Sequence, residues 1–408
     1  RIENHILVND SKLSRGAIWG DFNGDGITDL FVVNESNAAN DLFLGQGVSD
    51  YIKVNSGPLV SSQRSSMTAS FGDIDNDGDF DAFVGNSGYF STQKNQLFIN
   101  SPEGFLAVTE GPVVETNNCT YGSAFGDYDN DGDLDLLIAN GFCNSNLSNT
   151  LYANQGDGSF ADSSQLLTPN PAVCSFGIAW GDINNDGFLD LMAANCKNNN
   201  AGAQQSNTLL INQGNENHWL KIRLTGVQSN RSAIGSIIHL KATINGQPTW
   251  QIREIRSQSG YAGQNSLVAH FGLGTAEQVD SIIINWPSGI QQILLEQAID
   301  QQLDIVEDFS NATQTTGGKA FDFEIYPNPA KKGVESLTLT YPADLRADTL
   351  SIQVLDSTGK LIQFMVQARG EHDHSLTLPL SDSQLAPGIY LVVLRSAGLT
   401  ATKKIVVN

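Results

Sequence analysis

The sequence predicts an all-β chain whose first half is a β-propeller. Two observations carry this. One is an internal repeat with a period of about fifty residues. The other is a set of short apolar runs, four per repeat, parted by polar or glycine-containing turns, which is the pattern of a four-stranded propeller blade. One such blade cannot bury both of its faces alone, whereas neighbours in a ring can.

The repeats fill residues 16–214 and are organised around one nine-residue loop. Its fullest form is Asp127-Tyr128-Asp129-Asn130-Asp131-Gly132-Asp133-Leu134-Asp135, with carboxylates at positions 1, 3, 5, 7 and 9 and glycine at 6. Asp73, Asp75, Asp77, Asp79 and Asp81 form a second copy with the same five acids. The first copy holds Asp21, Asn23, Asp25, Ile27 and Asp29 at those positions, and the fourth holds Asp182, Asn184, Asp186, Phe188 and Asp190. Position 1 falls at 21, 73, 127 and 182. Alternating acids around a tight turn point oxygens inward, and the glycine permits the positive φ such a turn needs. Dense hard oxygen donors suit Ca²⁺; Mg²⁺ keeps more of its waters. We expect up to four calcium ions, held by side chains at positions 1, 3, 5 and 9 and by the position-7 backbone carbonyl, so Ile27 and Phe188 would serve without an acidic side chain. A single such loop is also compatible with a metal-free Asx turn; four evenly spaced copies argue for metal. An EF-hand is excluded, because position 12 is Val32, Val84, Ile138 or Ala193 rather than glutamate.

Each repeat opens on an aromatic-Gly step, at Trp19-Gly20, Phe71-Gly72, Phe125-Gly126 and Trp180-Gly181. After each loop comes a buried strand, then Asn34, Asn86, Asn140 or Asn195 five residues past position 9. A polar loop and a second apolar strand follow, then a glycine turn and an outer strand. The fourth repeat lacks that outer strand. The outer aromatics Tyr51, Phe105 and Phe160 each precede the next loop by 22 residues, and the same count from Asp21 runs past Arg1. A preceding blade is therefore expected to be missing from the N-terminus. The alternative is a closed four-bladed ring in which Ile2–Val8 pair with Thr208–Ile211. At this point the units resemble FG-GAP (VCBS-type) repeats, the calcium-loop blades of integrin α-chain propellers and many secreted bacterial proteins.

The chain has 408 residues, too many for one ordinary domain, and a net charge of −22. The four loops contain 16 of its 44 acids, so the acidity is partly a metal-site signature. It disfavours nucleic acid as a partner, since a polyanion would be repelled. No apolar run reaches the roughly 18 residues of a membrane span. With no Met at the start, a leader is expected to have been removed.

Residues 215–307 change to alternating strands and read as a second all-β module. Asn217-His218-Trp219-Leu220-Lys221, Gly260-Tyr261, His270-Phe271-Gly272-Leu273-Gly274 and Trp286-Pro287-Ser288-Gly289 resemble the ASPIC/UnbV domain. That domain commonly follows FG-GAP repeats, as in the cartilage acidic protein family, and no enzymatic activity is established for it as a class. Arg253, Glu254, Arg256 and His270 invite a catalytic reading, but neighbours on a strand face opposite sides, and a solvated or structural role is expected. Gly272 and Gly274 lack the context of a nucleotide fingerprint and are expected to form a tight turn.

Residues 308–320 are small and polar, hence a flexible linker. Residues 321–408 carry further strands and suit a small immunoglobulin-like sandwich. Tyr326-Pro327-Asn328-Pro329, Leu385-Ala386-Pro387-Gly388-Ile389-Tyr390 and the ending Lys403-Lys404-Ile405-Val406-Val407 resemble the C-terminal sorting domain of the type IX secretion system of Bacteroidota. The resemblance implies the secretion machinery as a partner and a secreted or outer-surface location.

Four cysteines allow three pairings. Cys119–Cys143 and Cys174–Cys196 are expected, because each pair flanks its own loop at similar distances. The expected function is calcium-dependent, non-enzymatic binding of a glycan or protein by a secreted or surface protein, with the polar loops 87–95, 141–149 and 196–207 as the variable rim. The alternative is an extracellular enzyme, or an enzyme's accessory domain, acting on polysaccharide.

Overall fold

A computed structural model describes residues 5–47, 50–88, 91–142, 148–169, 174–196, 206–308, 313–314, 323–331, 336–341, 349–356, 361–368, 375–379, 387–396 and 399–407. The chain is all-β, built from many small antiparallel sheets. It divides into two compact bodies, one of residues 1–277, 286–288 and 298–306 and the other of 278–285, 289–297 and 307–408.

In the first body each repeat forms its own sheet. Repeat one pairs Ser14–Gly20, Asp29–Asn34, Asp41–Gly47 and Asp50–Lys53 in that order. Repeat two pairs Ser66–Gly72, Asp81–Asn86, Gln96–Ile99 and Leu106–Ala107. Repeat three pairs Thr120–Gly126, Asp135–Asn140, Thr150–Asn154 and Phe160–Asp162. Repeat four has three strands, Ser175–Gly181, Asp190–Asn195 and Thr208–Leu210. The first two strands of each repeat are joined by the acidic loop, and pairing begins at position 9 opposite the glycine before position 1, as in Gly126↔Asp135.

Consecutive repeats share cores. Phe22 stacks on Phe71 with centroids 4.0 Å apart, and Phe31, Phe71, Val84 and Phe98 lie in one cluster. Phe83, Leu97, Leu136 and Tyr152 fill the next, and Leu137, Leu151, Trp180 and Leu191 the third. The first strands of repeats one and two, two and three, and three and four pack on each other. Among the described residues no such packing joins repeat four to repeat one, and ring closure is not seen. The closed ring needs residues 2–8 on Thr208–Ile211; instead Ile6–Val8 form a turn of 3-10 helix beside Asp50–Lys53.

The asparagine after each second strand has a recurring place. The amide N–H groups of Asn34, Asn86, Asn140 and Asn195 donate to the side-chain oxygens of Asn40, Asn95, Asn149 and Asn207, at 2.9 to 3.2 Å. A second series bridges neighbours. Asn100 donates to the Phe22 carbonyl of the preceding repeat, Asn154 to Ile74 and Asn212 to Tyr128, at 3.2, 2.7 and 2.6 Å. Cys174 and Cys196 are disulfide-bonded with Cα atoms 5.3 Å apart. Cys119 is also disulfide-bonded; Cys143, its expected partner, lies outside the described residues.

The second module contributes His218–Thr225, paired antiparallel with Ala269–Gly274 and parallel with Gln301–Val306, and the hairpin Ile237–Ile244/Gln247–Glu254. That hairpin turns at Asn245-Gly246, with φ of 49° and 79°, as a two-residue turn of this type requires. Residues 254–266 then run across the first strands of repeats two to four. Arg256 donates to the Phe71 carbonyl (2.7 Å), Tyr261 N–H to Thr68 Oγ1 (2.9 Å), and Asn265 to the Phe125 carbonyl (3.1 Å). Ser266 N–H donates to the Trp180 carbonyl at 3.0 Å.

The second body holds the hairpin Val279–Asn285/Gln291–Gln297 and a two-sheet sandwich. Thr313–Gln314, inside the stretch read as a linker, pair with Ile293–Leu294, because a strand edge offers unpaired backbone groups. One sandwich sheet is Glu324–Tyr326, Ser336–Thr340 and Ser375–Pro379. The other orders Leu361–Ala368, Thr349–Asp356, Gly388–Ser396 and Leu399–Val407. Leu337, Ile352, Val392 and Ile405 share its core. The opening motif is tied to the last strand: Asn328 donates to the Lys404 carbonyl at 2.7 Å and accepts the Val406 N–H at 3.1 Å.

Candidate metal centre

The glycine at position 6 has φ of 81°, 102°, 103° and 91° at Gly26, Gly78, Gly132 and Gly187. Position 4 is also left-handed, at Gly24, Asn76, Asn130 and Asn185, with φ between 58° and 71°. Glycine and asparagine are the residues that accept this conformation cheaply. The two left-handed residues wrap the loop around the position-1 carboxylate. The N–H of position 6 donates to that carboxylate at Asp21 (2.8 Å), Asp127 (3.0 Å) and Asp182 (2.9 Å).

Position 9 does more than ligation would require. Both oxygens of Asp29, Asp81, Asp135 and Asp190 accept backbone N–H groups, one from position 2 of the loop and one from beyond the repeat's third strand or within it. This carboxylate therefore ties the loop to two strands.

Asp73, Asp75 and Asp81 bring one carboxylate oxygen each within 4.8 Å of one another, and Asp127, Asp129 and Asp135 do the same. These are positions 1, 3 and 9 of the second and third loops. Asp73 Oδ2, Asp127 Oδ1 and Asp129 Oδ1 are buried and without a hydrogen-bond partner. Buried unpaired carboxylate oxygens are costly, and a hard cation is the group that satisfies several at once. The donor set thus fits calcium on its own chemistry. Asp77 and Asp131 at position 5 accept the position-7 N–H, at 3.1 and 3.0 Å. At position 7, Asp133 accepts a bond from Asn76 of the preceding loop at 2.6 Å, so its side chain clasps two loops together. Asp79 Oδ1 has no partner.

Crowding and burial push these acids upward. Asp73 and Asp81 rise to about 8, chiefly by burial, and Asp79, Asp129 and Asp133 to about 6. Asp127 and Asp135 are also pushed well up, chiefly by burial and then by the neighbouring aspartates. The first loop is more open: Asn23 and Asp25 are exposed, Asn23 donates to Asp25 at 2.9 Å, and Ile27 N–H donates to Asp25 at 2.7 Å. The fourth repeats this with Asn184, Asp186 and Phe188, at 2.7 and 3.0 Å.

Five residues of the second module, Lys221, Arg253, His270, Gly272 and Gly274, meet the loops. Arg253 is half-buried with its guanidinium turned inward, and the carboxylates of Asp127, Asp73, Asp133 and Asp135 support its charge against desolvation. Its guanidinium donates to the His270 and Ile252 carbonyls and to Gln251 Oε1 at 2.9 to 3.3 Å. Lys221 pairs with Asp182 at 2.6 Å. His270 Nε2 lies 2.9 Å from the Gly187 carbonyl and so carries the proton there; burial holds the ring neutral, at about 4. Gly272 and Gly274 belong to the strand Ala269–Gly274 rather than to a separate turn. A side chain at 272 would collide with Asp127, so glycine lets the strand lie on the third loop. Gly274 N–H donates to the Asn130 carbonyl at 2.8 Å.

Residues 21–84 and 127–193 match the FG-GAP-like repeat family, residues 226–312 the family described as ASPIC and UnbV, and residues 324–408 the secretion system C-terminal sorting domain. The chain is therefore an FG-GAP-repeat protein with an ASPIC/UnbV domain and a type IX secretion sorting domain. Its sorting domain assigns it to secretion or the outer surface. It is distantly similar to cartilage acidic protein 1. The mouse protein is 26% identical over 291 residues, covering 69% of this chain and 43% of the relative. The human protein is 25% identical over 282 residues, covering 67% and 33%. The chain thus spans less than half the length of these curated relatives. Among solved structures, CopC from Methylosinus trichosporium OB3b matches 21% of the chain and 89% of its own at 22% identity, with a TM-score of 0.18, too slight a likeness to carry an argument. No helix among the described residues is long and apolar enough to cross a membrane.

Proposed function

We propose that this is a calcium-stabilised, non-enzymatic binding protein, whose repeats are propeller blades that present polar rim loops to a glycan or protein outside the cell. The observation that carries it is the buried Asp127, Asp129 and Asp135 triad with two unpartnered oxygens. Calcium enters the second and third loops first, since ligand charge tunes affinity; the open first loop binds more weakly. The ions lock the turns between first and second strands. The asparagine-lined rim at the other end of those strands is then held in fixed register for a partner. The sorting domain supplies the encounter with the secretion machinery.

Thermal unfolding with Ca²⁺ and with chelator tests the calcium reading. Each occupied site raises stability by about 2.7 kcal/mol at free calcium 100 times its dissociation constant. An unchanged midpoint rejects it. A glycan and protein array, with the same glycans screened for hydrolysis, tests the binding reading; cleavage products overturn the non-enzymatic part.

A further inference from the structure

The four loops share a pattern but not their surroundings. In the second and third, Arg253 approaches from the ASPIC/UnbV module without bonding a carboxylate: its described bonds go to Gln251, Ile252 and His270. In the fourth loop the module instead sets a cation directly on the position-1 carboxylate. Lys221 Nζ lies 2.6 Å from Asp182 Oδ2, and the two side chains are only 6% and 3% exposed. The same ammonium is 3.4 Å from Asn185 Oδ1 and 5.1 Å from the centre of the Trp219 ring. A buried ammonium is costly unless paired, and Asp182 is the carboxylate that pairs it.

We infer that Lys221 is the resident cation of the fourth loop, occupying the charge role that calcium fills in the second and third. The inference rests on the calcium reading proposed above. The remaining donors point the same way. Asp182 Oδ2 is shared between Lys221 and the Gly187 N–H, leaving Oδ1 as the open oxygen at position 1. Asn184 donates its amide to Asp186. A divalent ion here would sit a few ångströms from a fixed positive charge, and like charges in a buried setting repel strongly.

The module cannot easily withdraw that charge. Gly187 packs so tightly on the Trp219 indole that a β-carbon would collide with it, and His270 holds the Gly187 carbonyl from the other side. The loop and the strand His218–Thr225 are fastened together around the pair. The fourth loop thus joins the module to the repeats without calcium, while its relatives in the second and third repeats remain available to the ion.

Calcium counting on the full chain, by equilibrium dialysis with elemental analysis, tests this. Asp186→Asn, at an exposed position of the fourth loop, should leave the bound calcium unchanged, whereas Asp77→Asn in the second loop should weaken or remove one ion. Lys221→Met should gain one ion over the native chain, and Lys221→Arg should not. Loss of one ion in Asp186→Asn overturns the inference even if Lys221→Met proves unable to fold. An unchanged count in a folded Lys221→Met chain overturns it too. No calcium in the native chain at all would instead reject the calcium reading itself.

Discussion

Position 3 of the third loop shows what a single carboxylate does. Asp129 has an oxygen that is buried and unpartnered, beside Asp127 and Asp135. Asp129→Ala should remove one bound ion and lower the calcium-saturated melting temperature. Glu103→Ala, at an exposed acid outside the loops, should leave both essentially unchanged; equal effects from the two would argue against a metal role. Burial weakens the acidity of Asp73 and Asp81 and so makes stability depend on pH: both are pushed up to about 8 in the folded chain, from the 3.8 of an ordinary aspartate. In metal-free protein they favour folding most at low pH, below their unfolded value. That contribution is lost as pH rises from about 4 through 8. Urea midpoints in chelator should accordingly drift downward over this range as far as these two groups govern it. Saturating calcium binds the ionised form and should turn that drift upward. A flat profile in both conditions would contradict the assignment.

At the scale of the strand and loop, the bridging asparagines are the device that sequence spacing did not reveal. Asn154 is buried, and its amide donates to Ile74 of the preceding repeat and Leu134 of its own. Asn154→Ala leaves two carbonyls without this donor and should cost about 1–3 kcal/mol, read as a urea-midpoint shift. The acidic loops were legible because their chemistry is local: alternating acids with a glycine at position 6 specify the turn within nine residues. The strand ladder was legible for the same reason, since a period of two and a glycine turn are local signals. Lys221, Arg253 and Gly272 were not. Strand alternation says which side a residue faces but not what covers that side, and Lys221 meets Asp182 across 39 positions of sequence. Gly272 reads as a turn because glycine usually marks one; its close approach to Asp127 depends on the packing of two modules.

At the scale of the molecule there are two bodies, one holding the acidic-loop repeats and the other the sandwich that carries the sorting signal. The sandwich has its own core, and its terminal strand Leu399–Val407 is held by the opening motif through Asn328. Deleting residues 324–408 should abolish surface delivery in a host with type IX machinery, measured by fractionation and surface labelling. Normal delivery of the shortened chain would refute an export role. How the repeats would complete a ring is a separate matter from how they fold, because each already shares a core with the next.

The close seat of the ASPIC/UnbV strands on the acidic loops has a consequence for the order of assembly. Lys221, Arg253 and Gly272 all come after the fourth repeat in the chain. During vectorial synthesis the loops of repeats two to four therefore wait, solvated and self-repelling, until about the last of these residues has emerged. Their burial belongs to a late folding step. The first loop has no such wait: its turn bonds are local, and among the described residues it takes no hydrogen bond from the module, so it can close before the module has been made.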